Sequence, residues 1–162
     1  MSRSQVTVRV RRDPEFVFAC IERHAERNEP AWEPEVLGVE PLGPGPVREG
    51  FRARMTRRDF GSVRTTTYEV THFDAPRELA VRHVDGPLDF ALAFRVAAAG
   101  PGESEVTVTV DAVPRGALRV MRPVFALTAG GRNRRISAQM VGAIEAATPT
   151  PAAAAGVTAG PA

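Results

Sequence analysis

The feature that most constrains this chain is a long series of alternating apolar and polar residues, spanning positions 51–113. A period of two is typical of β-strands that bury one face and expose the other to water. Antiparallel sheets covered on one side have this pattern. After about residue 115 the period becomes helical and stays so to about residue 147. The clearest alternating apolar positions are Phe90, Leu92, Phe94 and Val96, followed by Val106, Val108 and Val110.

The sequence provides one long helix to cover this sheet. An α-helix with its side chains is about 10–12 Å across, which is too narrow to cover a curved sheet of six or seven strands completely. We therefore expect a hollow between sheet and helix, lined by apolar side chains. The pattern does not indicate which molecule occupies it.

The composition is that of a globular protein with a single domain. The chain has 162 residues, 43% of them hydrophobic and 25% charged, which is ordinary for this class. All 21 basic residues are arginine, against 19 acidic residues, so the formal net charge is only +2. A nucleic-acid binder concentrates basic residues on one face, and we expect no nucleic-acid partner here.

The single cysteine, Cys20, excludes an internal disulfide and is typical of a reducing compartment. Residues 1–12 contain no signal-peptide pattern, and no stretch approaches about 18 consecutive apolar residues. We therefore expect a cytoplasmic protein without stable membrane insertion.

Two short helices are expected after the first strand, which contains Val6, Val8 and Val10. Asp13-Pro14-Glu15 predicts a helix start, with Asp as N-cap, Pro at the first helical position and an acid near the positive end of the helix dipole. The polar run 22–29, ended by Pro30, indicates a second short helix or a turn. The long C-terminal helix has expected kink points at Pro123 and Gly130-Gly131.

Turn-forming residues divide the alternating region into strands. The fourth strand carries Thr66, Tyr68, Val70 and His72 on one face, and the fifth carries Leu79, Val81 and His83. A tight turn between them would place Val70 opposite His83 and His72 diagonal to it. The expected turns lie at residues 43–46, 57–61, 75–77, 85–87 and 100–102.

The order of these elements resembles the SRPBCC superfamily. Residues 12–18 (RDPEFVF) resemble the entry to its first helix, residues 30–34 (PAWEP) its Trp segment, and residues 68–79 (YEVTHFDAPREL) its hairpin with a Pro-Arg-x-Leu turn. The resemblance spans about residues 5–147. It implies an α+β helix-grip (START-like) fold, with a curved antiparallel sheet of six to seven strands around a long C-terminal helix and two short helices after strand one.

The resemblance implies a broad range of functions, because the superfamily includes polyketide cyclases, START lipid-transfer domains and pollen allergens. We expect residues 1–147 to form the ligand-binding domain. Residues 148–162 consist of Ala, Pro, Gly and Thr with one Val, a composition that predicts a disordered tail.

His83 is the main candidate for chemistry, because a neutral imidazole on the pocket face can act as a base or hydrogen-bond a ligand. The alternative is a histidine at the core edge, bonded to backbone or to tyrosine. A metal site with His72 is not expected, since zinc needs three or four ligands and no third His or Cys is near. No dinucleotide or phosphate-loop motif appears, and we expect no cofactor.

Tyr68 presents a ring and a hydroxyl that can orient an oxygenated ligand or move a proton, or it packs with its hydroxyl at the rim. Trp32 is either core packing or a lid on the pocket mouth. Arg57 and Arg58 are expected on a solvated hairpin tip, while Arg132 or Arg135 could reach a ligand carboxylate. The expected ligand-binding residues are Trp32, Met55, Thr66, Tyr68, Val70, Val81, His83, Phe90, Leu92, Phe125 and Met140.

These observations favour a binder or carrier of a small hydrophobic molecule such as a polyketide, lipid or isoprenoid. The alternative is a polyketide cyclase or dehydratase in which His83 or Tyr68 moves a proton within the same cavity. The sparse expected set of ionisable pocket residues favours the binder, because acid–base catalysis needs a well-placed group with a suitable pKa. A purely structural role would require a filled core.

Deletion of residues 148–162 should leave the melting temperature unchanged. The tail has too little apolar area to offset an ordering cost of roughly 1–2 kcal/mol per residue. Differential scanning calorimetry of the full and truncated chains tests this. A decrease of several degrees in the truncated chain would show that the tail docks on the domain.

Overall fold

Seven antiparallel strands form one curved sheet in the computed structural model, which describes residues 2–59 and 61–149. The strand order is β1-β7-β6-β5-β4-β3-β2, so consecutive hairpins run from β2 to β7 and the first strand joins the last. This confirms the expected helix-grip arrangement. The strands are β1 (Ser2–Val10), β2 (Val36–Pro41), β3 (Arg52–Asp59), β4 (Ser62–Asp74), β5 (Glu78–His83), β6 (Leu88–Gly100) and β7 (Glu103–Pro114).

A single helix, α1 (Pro14–Arg27), follows β1, so the prediction of two short helices was wrong. Asp13 is the N-cap residue as expected, although its side chain makes no capping hydrogen bond. The buried stripe continues through Ile21 to Ala25, so the residues after position 21 continue the same helix instead of starting a second one. Asn28 ends the helix in the left-handed conformation, with φ of 61°.

A β-bulge in β4 changes which side chains face the interior. The pairing of β4 with β5 runs from Tyr68–His83 to Val70–Val81 and then shifts, so that His72 pairs with Ala80. Because the extra residue reverses the alternation, His72 lies on the outer face, where it contacts Glu49. The predicted register, with Val70 opposite His83 and His72 on the pocket face, was therefore wrong.

The C-terminal segment begins with a 3₁₀ helix (Gly116–Met121) and continues as α2 (Arg122–Ala146). Pro123 lies in the first turn of α2, where no amide donor is needed, and therefore starts the helix rather than kinking it. The helix also continues without interruption through Gly130-Gly131.

Only the C-terminal half of α2 is buried against the sheet. Its buried positions are Asn133, Ser137, Met140 and Ile144, and this half packs on β1 and β7. Val124 and Leu127 in the first half of α2 are exposed, because this half extends past the sheet contacts. The first half of α2 instead extends over the hollow, and the side chain of Phe125 lines it.

Asn133 connects α2 to the sheet. Its Nδ2 lies 3.1 Å from Ser4 Oγ, 3.3 Å from the Ser4 carbonyl and 3.4 Å from the Val108 carbonyl. Ser137 donates to Asn133 Oδ1 at 3.2 Å, so both ends of the amide are paired. A buried amide must be satisfied in this way, and the pair fixes the helix against β1 and β7.

Apart from its first two residues, the predicted tail 148–162 lies outside the described residues.

Replacing Asn133 by Ala should lower the free energy of unfolding by about 1–3 kcal/mol, because the buried Ser137 and the half-buried Ser4 lose their partner. Urea titration followed by circular dichroism measures the change. The control is Arg134→Ala, one residue along on the exposed face, which should change stability by less than about 0.5 kcal/mol. Equal effects of the two substitutions would contradict this role for Asn133.

Candidate ligand-binding site

A cavity of about 280 Å³ lies between the sheet, α1 and α2. Its walls come from β2 to β7, from both helices and from the loop after α1, and most of the lining side chains are apolar. Ten of the eleven residues expected to bind a ligand line it: Trp32, Met55, Thr66, Tyr68, Val81, His83, Phe90, Leu92, Phe125 and Met140. Val70 does not, because it is fully buried in the core.

Apolar side chains of the central strands form one wall. On β5 and β6, Val81 pairs with Leu92, and Leu79 pairs with Phe94, so that these residues lie side by side on the inner face. Phe125 and Met140 of α2 lie on the opposite wall. These contacts follow from the alternation of the strands, which places every second residue of β5 and β6 inward.

His83 lies at the end of β5, opposite Tyr68, with its ring centroid 4.7 Å from that of Phe90. Neither ring nitrogen has a hydrogen-bond partner among the described residues. Burial lowers the pKa of His83 to about 4, and the charge of Arg57 acts in the same direction while Asp85 opposes it. The imidazole is therefore neutral at pH 7 and can both donate and accept one hydrogen bond.

Tyr68 lines the cavity with its ring, but its hydroxyl is engaged elsewhere. The hydroxyl donates to the carbonyl of Ala25, the last buried residue of α1. Burial also raises the pKa of Tyr68 above its ordinary value. A phenol held in this way is poorly suited to moving a proton, so the ring is the part that faces a ligand.

Thr66 lies two residues before Tyr68 on the same face of β4, which makes it a diagonal neighbour of His83. Its hydroxyl is buried and has no hydrogen-bond partner among the described residues. Arg57, two residues after Met55 on β3, completes the group and lines the cavity. We call Arg57, Thr66 and His83 the polar corner.

The prediction that Arg57 lies on a solvated hairpin tip was wrong, since its side chain is only 16% exposed. Arg57 Nε lies 2.7 Å from Asp59, and its Nη2 lies 3.6 Å from Glu33. Strand β3 is longer than predicted and carries Arg57 inward. Arg58, the next residue, is exposed as expected.

The opening of the cavity lies between the β3–β4 hairpin and α2, because the exposed lining residues Arg64, Thr128 and Arg132 are found there. Arg132 Nη2 lies 3.6 Å from Asp59, which joins the helix to the hairpin. Arg132 is thus placed to reach a ligand carboxylate. Arg135 does not line the cavity and pairs with Glu35 at 3.0 Å.

Sequence reasoning missed four ionisable lining residues, which are His24, Glu33, Asp59 and Arg64. Glu33 belongs to the Trp segment, and burial raises its pKa although Arg57 and Arg132 act in the opposite direction. His24 was assigned to a separate helix. Its Nδ1 donates to the Pro30 carbonyl at 2.8 Å, and its ring stacks on Trp32 with centroids 3.4 Å apart.

The stacking against His24 also settles the position of Trp32. The indole is 5% exposed and contacts the edge of Phe94 at 6.4 Å. Trp32 therefore forms part of the cavity wall and of the core together, rather than an exposed lid. Trp32 was predicted as a site residue because residues 30–34 resemble the Trp segment of the superfamily. The sequence around His24 contains no pattern that predicts its stacking on Trp32.

Comparison with known families agrees with this architecture. Residues 1–147 match the family model described as "Polyketide cyclase / dehydrase and lipid transport". The chain belongs to this family. Its fold is shared by many solved structures. No curated protein matches the chain.

Two solved structures illustrate how far the fold of this family member is shared. A START superfamily protein from Mycobacterium smegmatis has a TM-score of 0.74 and 16% sequence identity, with 88% of this chain and 97% of the other covered. The Zhui aromatase/cyclase from Streptomyces sp. R1128 has a TM-score of 0.69 and 17% identity, covering 88% and 90%. At such identities the likeness establishes the fold and leaves the ligand open.

No described helix of this family member is long and apolar enough to cross a membrane.

Stability should fall in acid because His24 is buried in its neutral form. Burial lowers its pKa to about 4 from an ordinary 6.5, so the unfolded chain takes up a proton before the folded chain does. The associated stability is complete above pH 6.5 and is lost as the pH falls towards about 4, amounting to about 3 kcal/mol.

Urea titrations at intervals between neutral and acid pH measure this loss. His24→Gln should show a shallower decline than the wild type, since Gln does not titrate. Ala126→Gln, at an exposed position of α2, adds the same side chain without removing a titratable group; it is the control and should decline as the wild type does. Parallel curves for the wild type and His24→Gln would contradict the assignment.

Proposed function

We propose that this protein binds and carries a small hydrophobic molecule, such as a polyketide, lipid or isoprenoid, in the cavity between its sheet and α2. The observation that carries this proposal is a cavity of about 280 Å³ with mostly apolar walls. A purely structural protein would be expected to fill this space with side chains. The buried free thiol of Cys20 supports a cytoplasmic location.

The volume favours a small ligand. Pockets for drug-sized molecules are about 300–1,000 Å³, and this cavity lies just below that range. A short acyl chain or a molecule of one or two rings fits such a space better than a long phospholipid does.

The polar corner supports a ligand that carries oxygen at one end. Thr66 and His83 have no hydrogen-bond partners among the described residues, and both face the cavity. A carbonyl or hydroxyl group could bond to both. Arg57, Arg64 and Arg132 outnumber Glu33 and Asp59 near the opening, which favours a partial or full negative charge on that end of the ligand.

A polyketide cyclase or dehydratase is the second candidate. It is favoured by His83 and Glu33, which are among the ionisable side chains on the cavity wall; the ring nitrogens of His83 have no hydrogen-bond partner among the described residues. However, a general base works best when its pKa is near the working pH, and the pKa of His83 is about 4. A base this weak favours the hydrogen-bonding role, and for this reason the binder remains the first proposal.

Native mass spectrometry of the purified chain tests the binding proposal, with organic extraction to identify any bound molecule. We expect a population heavier than the bare chain by the mass of one small organic ligand. Ala129→Trp places an indole in the cavity from α2 and should abolish this population. A bare chain that also binds no fluorescent fatty acid or polyphenol probe would refute the proposal.

His83→Phe separates the two candidate functions, since it keeps a ring against Phe90 but removes both nitrogens. A carrier should lose at most about 1–2 kcal/mol of affinity for the extracted ligand, the range of one neutral hydrogen bond. A cyclase using the imidazole should retain binding but lose roughly 10²–10⁴ in rate.

Isothermal titration and product analysis on both forms supply the comparison. Val81→Ile, on the same strand and wall, is a control that keeps the polar corner intact. A loss of rate in His83→Phe with unchanged affinity would overturn the preference for a carrier.

A further inference from the structure

The outer face of the C-terminal segment exposes several large apolar side chains beside the cavity opening. Val120 is 83% exposed and Leu127 is 84% exposed, and Met121 and Val124 are also exposed. In the helix, Val124 and Leu127 are one turn apart and point away from Phe125, which faces the cavity. Exposed apolar residues are ordinary when scattered, but a cluster on one face indicates a contact surface.

This segment is also positively charged. Between Asp111 and Glu145 the sequence contains six arginines and no acidic residue. Arg115, Arg132 and Arg135 pair with acidic residues of other elements. The remaining three, Arg119, Arg122 and Arg134, are exposed and form no ion pair with any described residue.

The end of the β3–β4 hairpin extends the same surface across the opening. Val63 is 54% exposed there and pairs with Arg58 on the outer face of the hairpin, while the next residue, Arg64, lies on the cavity face; both arginines are exposed without an ion pair in the described part of the chain. The contact between Arg132 and Asp59 holds this hairpin next to α2. Both borders of the opening therefore combine apolar side chains with free guanidinium groups.

We propose that this surface, comprising the outer face of residues 119–134 and the exposed hairpin residues Arg58, Val63 and Arg64, docks the protein on an anionic lipid bilayer with the cavity opening towards the lipid. Valine, methionine and leucine side chains enter the boundary between headgroups and acyl chains, while the arginines bond to lipid phosphates. The attachment is peripheral and reversible, and it gives a hydrophobic ligand a path between bilayer and cavity.

The charge argues against a second copy of the chain as the occupant. A symmetric dimer through this face would place the same arginines of both copies against one another, since an isologous interface joins identical patches. An anionic bilayer instead supplies phosphates opposite the arginines and an apolar layer opposite Leu127. This fits both parts of the surface.

Vesicle flotation tests the proposal with the full chain. We expect binding to vesicles of equal parts phosphatidylglycerol and phosphatidylcholine, and little binding to pure phosphatidylcholine. Raising the salt to about 1 M should weaken binding, because it shortens the screening length to about 3 Å. Binding that is equal on both vesicles, or absent from both, would overturn the proposal.

Matched variants locate the surface. Arg119→Gln with Arg122→Gln should weaken binding roughly 25-fold, since each basic residue near an anionic surface contributes a factor of about five. Leu127→Gln should weaken it about tenfold through lost apolar burial. The control for the arginine pair is Arg54→Gln with Arg82→Gln, since both residues are exposed and form no ion pair with described residues. The control for Leu127 is Leu42→Gln, which replaces an exposed leucine beside Arg52 at the other end of β3.

Equal losses in the test and control variants would overturn the proposal, and melting temperatures check that each variant folds. If the chain does not bind vesicles but self-associates in sedimentation, and Leu127→Gln abolishes the self-association, the surface is a dimer interface. If an acidic protein binds while vesicles do not, the bilayer is likewise excluded. None of these substitutions lines the cavity, so retained ligand binding separates failure of docking from failure of the proposed function.

Discussion

The rest of the structure depends on the way α2 is attached to the sheet. Asn133 hydrogen-bonds the middle of the helix to β1 and β7, Ser137 holds the Asn133 amide from within the helix, and Met140 and Ile144 bury its second half. Because these contacts are confined to one half, the other half extends over the cavity and meets the sheet at the end of β3, where Arg132 contacts Asp59. A helix buried along its whole length would have filled the interior. The cavity therefore forms because α2 is longer than the part of it that packs on the sheet.

The same arrangement accounts for the chemistry of the cavity wall. Central strands with strictly alternating residues supply apolar side chains, while the ends of β3, β4 and β5 supply Arg57, Thr66 and His83. Burial removes the charge from His83, and the partners of Arg57 come from its own strand and from the Trp segment. The result is a mostly apolar space with one polar corner, which suits the recognition of an oxygenated hydrophobic molecule better than proton transfer at neutral pH.

The overhanging half of α2 has two faces with different surroundings. Phe125 lies towards the cavity, and Leu127 is exposed to solvent on the opposite side of the same turn. The hairpin end across the opening repeats the combination of apolar and basic side chains. The proposed ligand site and the proposed bilayer contact are thus two sides of one element, although each rests on its own residues.

The sequence by itself determined the fold class and most of the cavity wall. Alternation assigns a face to each residue of a regular strand, which is why Val81, His83, Phe90 and Leu92 were placed correctly. Register, however, depends on contacts between strands, and the bulge in β4 that moves His72 outward leaves no local signal. The stack of His24 on Trp32 joins α1 to a loop in the same way. Only tertiary structure decided these features, and with them the inward position of Arg57 and the exposure of Leu127, because each depends on where one element ends relative to another.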